Sequence, residues 1–381
     1  MWIFTRYVTW EVLKFFLAAL IVLTLIVTIG MGVKEGMARG LPPAVVLRTM
    51  PFMIPEMLGI TIPVALLYAV CTVFGRMAGT NEIVALKSLG ISPLTAAAPV
   101  IVLAVFFSLA TVGIYELAAT WCRPAVQRVV IESIEDIAYG MLRANRSFRG
   151  ERFAITVKRV KDKRLIQPNI TIWGNGDQPD IVVSAEEARL EADLERRVLR
   201  LYCRNGEVDI SGQMRLRFTD TQKYVVPFEK PEKKIHRDWL ATSELRSAIR
   251  QTKRHLTELR DEMEDMIAKG RSPTDEQLKR VDYLQTKIAR LRTEPYRRWS
   301  NGFTCFCFVL VGTPVAMMRR SADSLTTFFV CFLPILIVYY PLLMLGEDLS
   351  TSGELPPITF WLGNAVLLLP GYWLMRRVIR F

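Results

Sequence analysis

The chain has 381 residues, 51% of them hydrophobic and 23% charged, with a mean hydropathy of +0.24. That is too apolar for a disordered chain and too charged for a bare membrane bundle, and six cysteines in this length exclude a disulfide-stapled mini-domain. The charge is uneven: residues 1–119 and 300–381 hold only 12 of the 49 Lys and Arg and 9 of the 37 Asp and Glu. The middle, with 37 basic and 28 acidic groups, carries a net +9 of the total +12.

In chain order, three long apolar runs come first: 15–33 without a charge, 51–74 with only Glu56, and 93–119 with only Glu116. Three more follow the polar middle, at 302–318, 325–346 and 357–375. Each is near the roughly 20 residues that a helix needs to cross a bilayer, so the sequence predicts six transmembrane helices, three before and three after an inserted domain. The short segments on the terminus side carry Arg6, Lys14, Arg76, Lys87, Arg319, Arg320, Arg376, Arg377 and Arg380. Those on the other side carry only Lys34, Arg39 and Arg48. The positive-inside rule then puts both termini in the cytoplasm and the middle domain on the far side of the membrane. No small-x-small cleavage site follows the first run, so it reads as a retained helix rather than a signal peptide.

Between the two sets of spans the period changes. Phe153, Ile155 and Val157 alternate with polar neighbours, as do Ile170 and Ile172, Met214, Leu216 and Phe218, and Tyr224, Val226 and Phe228. Turn signals sit at 174–177, at Asn205-Gly206 between two strand-like runs, and at Ser211-Gly212. This pattern predicts an antiparallel sandwich or jelly roll, either open-ended and able to hold an acyl chain or closed and serving as a docking surface. Helical spacing returns in Leu245, Ile249, Thr252, Leu256, Leu259, Met263 and Met266. After Gly270 and the cap-like run 272–275 it resumes in Leu278, Val281, Leu284, Ile288 and Leu291, which predicts an antiparallel helical hairpin. Charges of both signs are interspersed on its flanks, as on a solvated surface, and nucleic acid is not expected as a partner. The expected division is 1–119 for the first three spans, 120–235 for the β domain with a helical lead-in, 236–298 for the hairpin and 299–381 for the last three spans.

No enzyme chemistry stands out. There is no G-x-x-x-x-G-K-[ST] phosphate loop, so any ATP must be bound by another chain. Cys305 and Cys307 point to different faces of a span, and the only histidines are His236 and His255, so neither a metal, nor a cofactor, nor a Cys/His catalytic centre is expected. Cys122 and Cys203 either pair or stay free. Glu56 and Glu116 fall near the outer ends of their helices, where an interfacial position accounts for both.

The stretch 81–92, Asn-Glu-Ile-Val-Ala-Leu-Lys-Ser-Leu-Gly-Ile-Ser, lies between the second and third runs. Asn81 is placed to cap a short helix whose Ile83, Val84, Leu86 and Leu89 have no membrane need, Gly90 to end it, and Pro93 to open the next span. Such a helix at the cytoplasmic face is either an interfacial linker or what a permease offers to a motor protein. The stretch resembles the coupling-helix signature of the LptF/LptG-type permeases, transmembrane subunits of the ABC exporter that extracts lipopolysaccharide from the inner membrane. Gly312-Thr313-Pro314-Val315-Ala316 and Gly353-Glu354-Leu355-Pro356-Pro357 also resemble that family, and the likeness covers almost the whole chain. It implies three spans, a periplasmic β-jellyroll and three more spans, with Asn81, Glu82, Ile83, Leu86, Lys87 and Gly90 docking on a cytoplasmic ATPase dimer. It further implies a second related permease chain enclosing a lipid cavity, and a periplasmic lipid-bridging protein. Gly75-Arg76-Met77 fits the F-type slightly better than the G-type.

A phosphorylated lipid needs cations near the outer headgroups, and Lys34, Arg39 and Arg48 are the basic residues available in the short outer loops. They either contact lipid phosphates or anchor the helices in anionic headgroups. The hairpin is longer than the short helical connection usual in the family. A permease that passes ATP cycles to periplasmic machinery without carrying lipid is the alternative. A secondary transporter would want charges at mid-span, which none of the six runs has.

Overall fold

The computed structural model describes residues 2–39, 42–149, 153–161, 163–173, 181–193, 198–210, 214–227, 240–269, 272–319 and 323–380. The helices are α1 (Trp2–Arg39), α2 (Pro43–Gly79), α3 (Glu82–Ser88), α4 (Pro93–Leu117), α5 (Arg123–Glu132), α6 (Ile134–Asn145), α7 (Thr242–Ala268), α8 (Asp275–Met318), α9 (Ser324–Ser352) and α10 (Leu362–Arg380). A π turn, Ala118–Cys122, joins α4 to α5, and a 3₁₀ turn, Pro357–Trp361, leads into α10. Among the described residues, six helical segments are long and apolar enough to cross a membrane: Trp2–Met37, Pro43–Gly79, Pro93–Val126, Asp275–Met318, Ser324–Ser352 and Pro357–Arg380. The three-plus-three arrangement stands, with the β domain inserted between its halves.

These helices outrun the apolar segments that predict them. The 38 residues of α1 make a rod of about 57 Å, against a hydrocarbon core of about 30 Å. No glycine or proline interrupts 2–14, so the helix starts well before its apolar part. The second helix of the hairpin and the fourth span are one helix of 44 residues, with Pro295 and Pro314 inside it. The expected boundary at 298/299 therefore falls where the helix has no break, because loss of charge does not end a helix and a single proline removes only one backbone bond.

The chain forms two compact units, Met1–Thr28 with Ile54–Arg123 and Ile235–Phe381, and Ile29–Met53 with Pro124–Lys234. In the first, α2 and α8 are mostly buried while the other spans turn apolar faces outward. One core cluster joins Val8, Val12 and Phe16 of α1 to Leu66 and Phe74 of α2, Ala97 of α4 and Val309 of α8. Another joins Leu67 and Cys71 of α2 to Phe308 of α8, Ile335 of α9 and Leu367 of α10. Lipid tails are as apolar as leucine, so close packing and interhelical polar bonds hold such a bundle. The bonds are present: Thr24 Oγ1 lies 2.9 Å from Thr61 Oγ1, Thr304 Oγ1 lies 2.6 Å from Tyr339 Oη, and Asn364 Nδ2 donates to the Ser300 carbonyl at 2.9 Å.

In the second unit, nine strands among the described residues form one antiparallel sheet: β1 (Ser147–Arg149), β2 (Phe153–Thr156), β3 (Arg159–Lys161), β4 (Arg164–Ile166), β5 (Asn169–Ile172), β6 (Ile181–Asp193), β7 (Val198–Ile210), β8 (Met214–Phe218) and β9 (Gln222–Pro227). The 13-residue strands β6 and β7 form a central ribbon. On one side β5 and then β4 take successive parts of β6, and on the other β9 and β8 share β7. The ribbon bends midway. Buried positions are Val183 and Ala185 before Glu186 but Ala188 and Leu190 after it, so the inward phase shifts by one residue and both halves face one interior. Opposite Glu186, Asn205 adopts φ 49° and donates Nδ2 to its carboxylate at 3.1 Å. At Gly206 a Cβ would strike the Ser184 carbonyl and the Phe218 ring, so only glycine fits the corner. Asn205-Gly206 is thus a bend inside β7 and not the turn between strands that the dipeptide suggests: a left-handed Asn beside Gly serves either purpose, and the continuous pairing with β6 selects the bend. The turn signals at 174–177 and 211–212 lie outside the described residues.

Helix α6 closes the interior. Ala138, Tyr139 and Leu142 pack among Ile155, Leu165, Ile170, Leu190 and Leu201. The Tyr139 hydroxyl donates to the Lys163 carbonyl at 2.8 Å and accepts from the Leu190 amide at 2.9 Å. Cys203 lies in this core as a free thiol whose pKa burial alone pushes up to about 12, and Cys122 is also free. Neither forms a disulfide.

Candidate functional site

The short helix α3 sits in a tight corner between α2 and α4. Gly79 ends α2 and Glu82 already starts α3, which leaves two residues for the reversal. Asn81 manages it in the left-handed region at φ 57°, which asparagine tolerates, and its backbone carbonyl accepts from the Ala85 amide at 2.9 Å. Its side chain makes no cap bond, contrary to expectation, because a left-handed residue turns the side chain away from the amides of the first turn. The Thr80 hydroxyl instead contacts Glu82 Oε1 at 3.0 Å and the Arg76 carbonyl at 3.0 Å. Gly90 ends the helix as expected: at φ 74° its amide donates to the Lys87 carbonyl at 2.9 Å, and the Ile91 amide to Leu86 at 3.0 Å. Ser92 then caps α4 by accepting from the Leu94 amide at 3.3 Å.

Two faces of α3 follow. Ile83 is buried in the cluster that contains Met77, Ala316, Met317, Met375 and Val378, so it ties α3 to the ends of α2, α8 and α10. Glu82, Leu86 and Lys87 are half-buried, and Asn81 and Gly90 are exposed. The outward face is completed by Val84, 45% exposed, and Leu89, 74% exposed. Among the six residues singled out, Ile83 is the anchor, and Val84 and Leu89 are the apolar groups that present themselves. Helical spacing puts Ile83 and Lys87 on one face and Val84 and Ser88 on another, but which of these faces is buried is decided by α8 and α10 and not by α3 itself. Beside α3, and reaching its exposed Val84 and Ser88, lies a cavity of about 650 Å³ lined also by Ala78, Ile83 and Lys87, by Met317 and Met318 at the end of α8, and by Arg377 and Val378 of α10. At the same end Asp323 caps α9, accepting from the Leu325 amide at 3.2 Å. Its bond from the Thr326 hydroxyl holds its carboxyl below the usual range.

Lys34 on α1 and Arg48 on α2 are both exposed. Arg39 is the last residue of α1, and its side chain lies outside the described set. The structure records no bond that draws Lys34 and Arg48 together.

At the opposite end of α4 and α8 stands an ion network that no spacing announces. Arg298 is 4% exposed and Glu294 1% exposed. Arg298 donates Nε to Glu294 at 3.0 Å, Nη1 to Glu116 of α4 and Nη2 to the Leu240 carbonyl at 2.7 Å. Glu116 also accepts from the Thr242 amide and hydroxyl, each at 2.7 Å, and so caps the start of α7. Arg297 adds two bonds to Glu294, at 2.8 and 2.9 Å. Buried charges demand partners, and here two carboxylates and two guanidiniums satisfy one another where α4, α7 and α8 converge. Glu116 is thus more than the interfacial carboxylate it resembled in sequence.

Among the described residues no group of three or more His, Cys, Asp and Glu is placed to hold a metal ion. What the arrangement offers is mechanical: a short helix fixed to the ends of three spans, one of which, α8, continues unbroken into the hairpin. A family model described as the lipopolysaccharide export system permease LptF/LptG matches residues 6–377. No curated protein matches the chain.

Proposed function

Because the chain belongs to the LptF/LptG family of lipopolysaccharide export permeases, we propose that a separate cytoplasmic ATPase dimer drives it, through α3, to extract lipopolysaccharide or a related lipid from the inner membrane. Members of this family are inner-membrane permease subunits and not enzymes themselves, and ATP hydrolysis falls to the partner. The observation that carries the reading is α3 itself, whose Ile83 is locked into the span core while Val84, Leu89 and Glu82 remain available to a partner. A groove in the ATPase takes this outward face, with Asn81, Leu86, Lys87 and Gly90 shaping it. Closure of the dimer then moves the ends of α8 and α10.

In this reading both termini and α3 are cytoplasmic, and the β domain and hairpin are periplasmic, in keeping with the excess of Lys and Arg around α3. A second related permease chain packs beside this one around the lipid, whose phosphates meet Lys34, Arg39 and Arg48. A periplasmic bridging protein receives the lipid from the β domain. Replacing Lys34 by Glu should weaken lipid-stimulated ATPase activity, and unchanged stimulation would remove Lys34 from the lipid site.

The test is capture of the detergent-solubilised chain, wild type beside Glu82→Ala, with identification of co-purifying proteins and lipids. An ATPase, a second six-span chain and lipopolysaccharide are expected with the wild type, and a weakened ATPase with the variant. The continuity of α8 from the hairpin to Met318 favours one other reading, a permease that transmits motion without carrying lipid. Recovery of the ATPase with no lipid, and no lipid crosslink along the apolar faces of α1 and α9, would select it.

A further inference from the structure

The cavity beside α3 has a composition that docking on an ATPase does not account for. It is bounded by the last turns of α8 and α10, and its volume of about 650 Å³ lies within the roughly 300–1,000 Å³ of small-molecule sites. Its floor is apolar, from Met317 and Val378, and two cations, Lys87 and Arg377, stand on its wall. Among the described residues neither cation bonds a carboxylate or one of the carbonyls that end α8, the two ordinary ways to settle such a charge. Arg377 stacks on Trp373, 5.5 Å from the ring centroid, and Arg376 on Tyr372 at 4.9 Å. Both rings are more than half exposed. Exposed aromatics beside arginines at the end of a span mark the headgroup level of a bilayer, so the cavity opens where phosphates lie.

We propose that this cavity binds an anionic phospholipid of the leaflet on the α3 side, its phosphate held by Lys87 and Arg377 and the top of its acyl chain laid on Met317 and Val378. A polar anion would leave the apolar floor uncovered, and a neutral lipid would leave the cations unanswered. An amphiphile with one negative charge satisfies both. The bound lipid wedges α3 against α8 and α10, so the membrane's own anionic lipid stiffens the joint through which an ATPase would act. Binding does not depend on the function assigned to α3; only this consequence does.

The test is native mass spectrometry of the full chain in neutral detergent supplied with phosphatidylcholine or phosphatidylglycerol. Wild type should retain phosphatidylglycerol selectively, and Arg377→Gln and Lys87→Gln should each lower that retention about fivefold, the effect of one cation near a lipid surface. Arg376→Gln removes an equal charge from the same turn but outside the cavity, and should leave retention unchanged. Val378→Trp keeps both cations, fills the floor, and should exclude the lipid. Equal loss in Arg376→Gln and Arg377→Gln would reduce the effect to general surface attraction and overturn the site, as would displacement by soluble glycerol phosphate at millimolar concentration. If Arg377→Gln left retention intact and instead weakened ATPase capture in lipid-free detergent, the cavity would be a socket for an acidic segment of the ATPase and the lipid assignment would fall. Failure of the lipid to bind while Glu82→Ala still weakens ATPase capture would sink this site and leave the proposed function standing.

Discussion

Arg298 and Glu116 meet across 182 positions of sequence, the first on α8 and the second at the end of α4, and Arg298 simultaneously holds the buried Glu294 one turn earlier in its own helix. Removing one member of a buried ion pair leaves its partner uncompensated, at a cost of about 3–5 kcal/mol. Arg298→Met should therefore lower the thermal midpoint of the full chain in detergent far more than Glu116→Gln, whose one remaining oxygen still accepts from the Thr242 amide. The double variant should be more stable than the sum of the two losses, because the neutral amide that replaces the Glu116 carboxylate no longer needs a cation. Strict additivity would show that the two side chains do not act as a pair.

At the other end of α8, the exit from α3 depends on Gly90. Its φ of 74° costs a β-branched residue roughly 1–2 kcal/mol, whereas asparagine visits this region readily. Gly90→Val should unravel the last turn of α3 and weaken ATPase capture without affecting membrane insertion. Gly90→Asn should behave as wild type. Equal capture by all three would mean that the end of α3 does not shape the docking face.

Much of this was open to sequence reasoning, for reasons particular residues make plain. The six spans show because an uncharged run such as 15–33 has no other use, and β2 and β5 show because one buried face alternates. Strands β8 and β9 form where alternation predicts them, although Leu216, expected to face inward, is 50% exposed. Strand β6 does not show. Its run Ser184-Ala185-Glu186-Glu187-Ala188-Arg189-Leu190-Glu191-Ala192 is rich in good helix formers, and only pairing on both edges, with β5 and β4 on one side and β7 on the other, makes it a strand. The Arg298 network is invisible for a different reason. Each of its charges is ordinary for its surroundings, and their significance arises only when the fold joins α4 to α8. On α3 the motif located the helix correctly but could not rank its faces, because burial of Ile83 depends on Met317 and Val378, far along the chain.

In the β domain, Tyr139 sets a pH limit. Burial raises its phenol above the ordinary 10.0, and the bond to Glu135 raises Lys163 above 10.5. Both groups have folded-state values above their unfolded ones, so the stability they confer is complete below about pH 10. It is lost as pH climbs through the raised values. The exposed Lys163 contributes little of this, and the buried phenol most. Pulse labelling of Cys203, which this core buries, with Cys122 replaced by Ser, should accelerate above pH 10 beyond what thiol ionisation explains. Tyr139→Phe should open faster at neutral pH, since the Leu190 amide loses its acceptor at about 1–3 kcal/mol, and should show a shallower rise at high pH. Parallel pH profiles for the two proteins would exclude the phenol as the titrating group.

The hairpin is secured at its base and not along its length. Leu245, Ala248 and Leu291 form a small core beside Thr242 and Arg298, and Thr252 and Ile288 are the last buried pair on the way to the tip. Beyond them Leu256, Leu259, Met263 and Met266 are only half-buried, and Leu278 and Ile267 are half exposed or more. Such a seam adds little to the stability of the spans, because each contact removes only part of a side chain from water. Deleting 253–287 and closing Thr252 to Ile288 through a short Gly-Ser turn should therefore leave insertion, the thermal midpoint and ATPase capture unchanged. Contact with a periplasmic partner should weaken. If α8 acts instead as a stiff member that the full hairpin must brace, the trimmed chain would insert poorly or melt several degrees lower. Carrying the same deletion in the Arg298→Met background separates these outcomes: a distal arm adds nothing to the loss caused by Arg298→Met, whereas a brace deepens it.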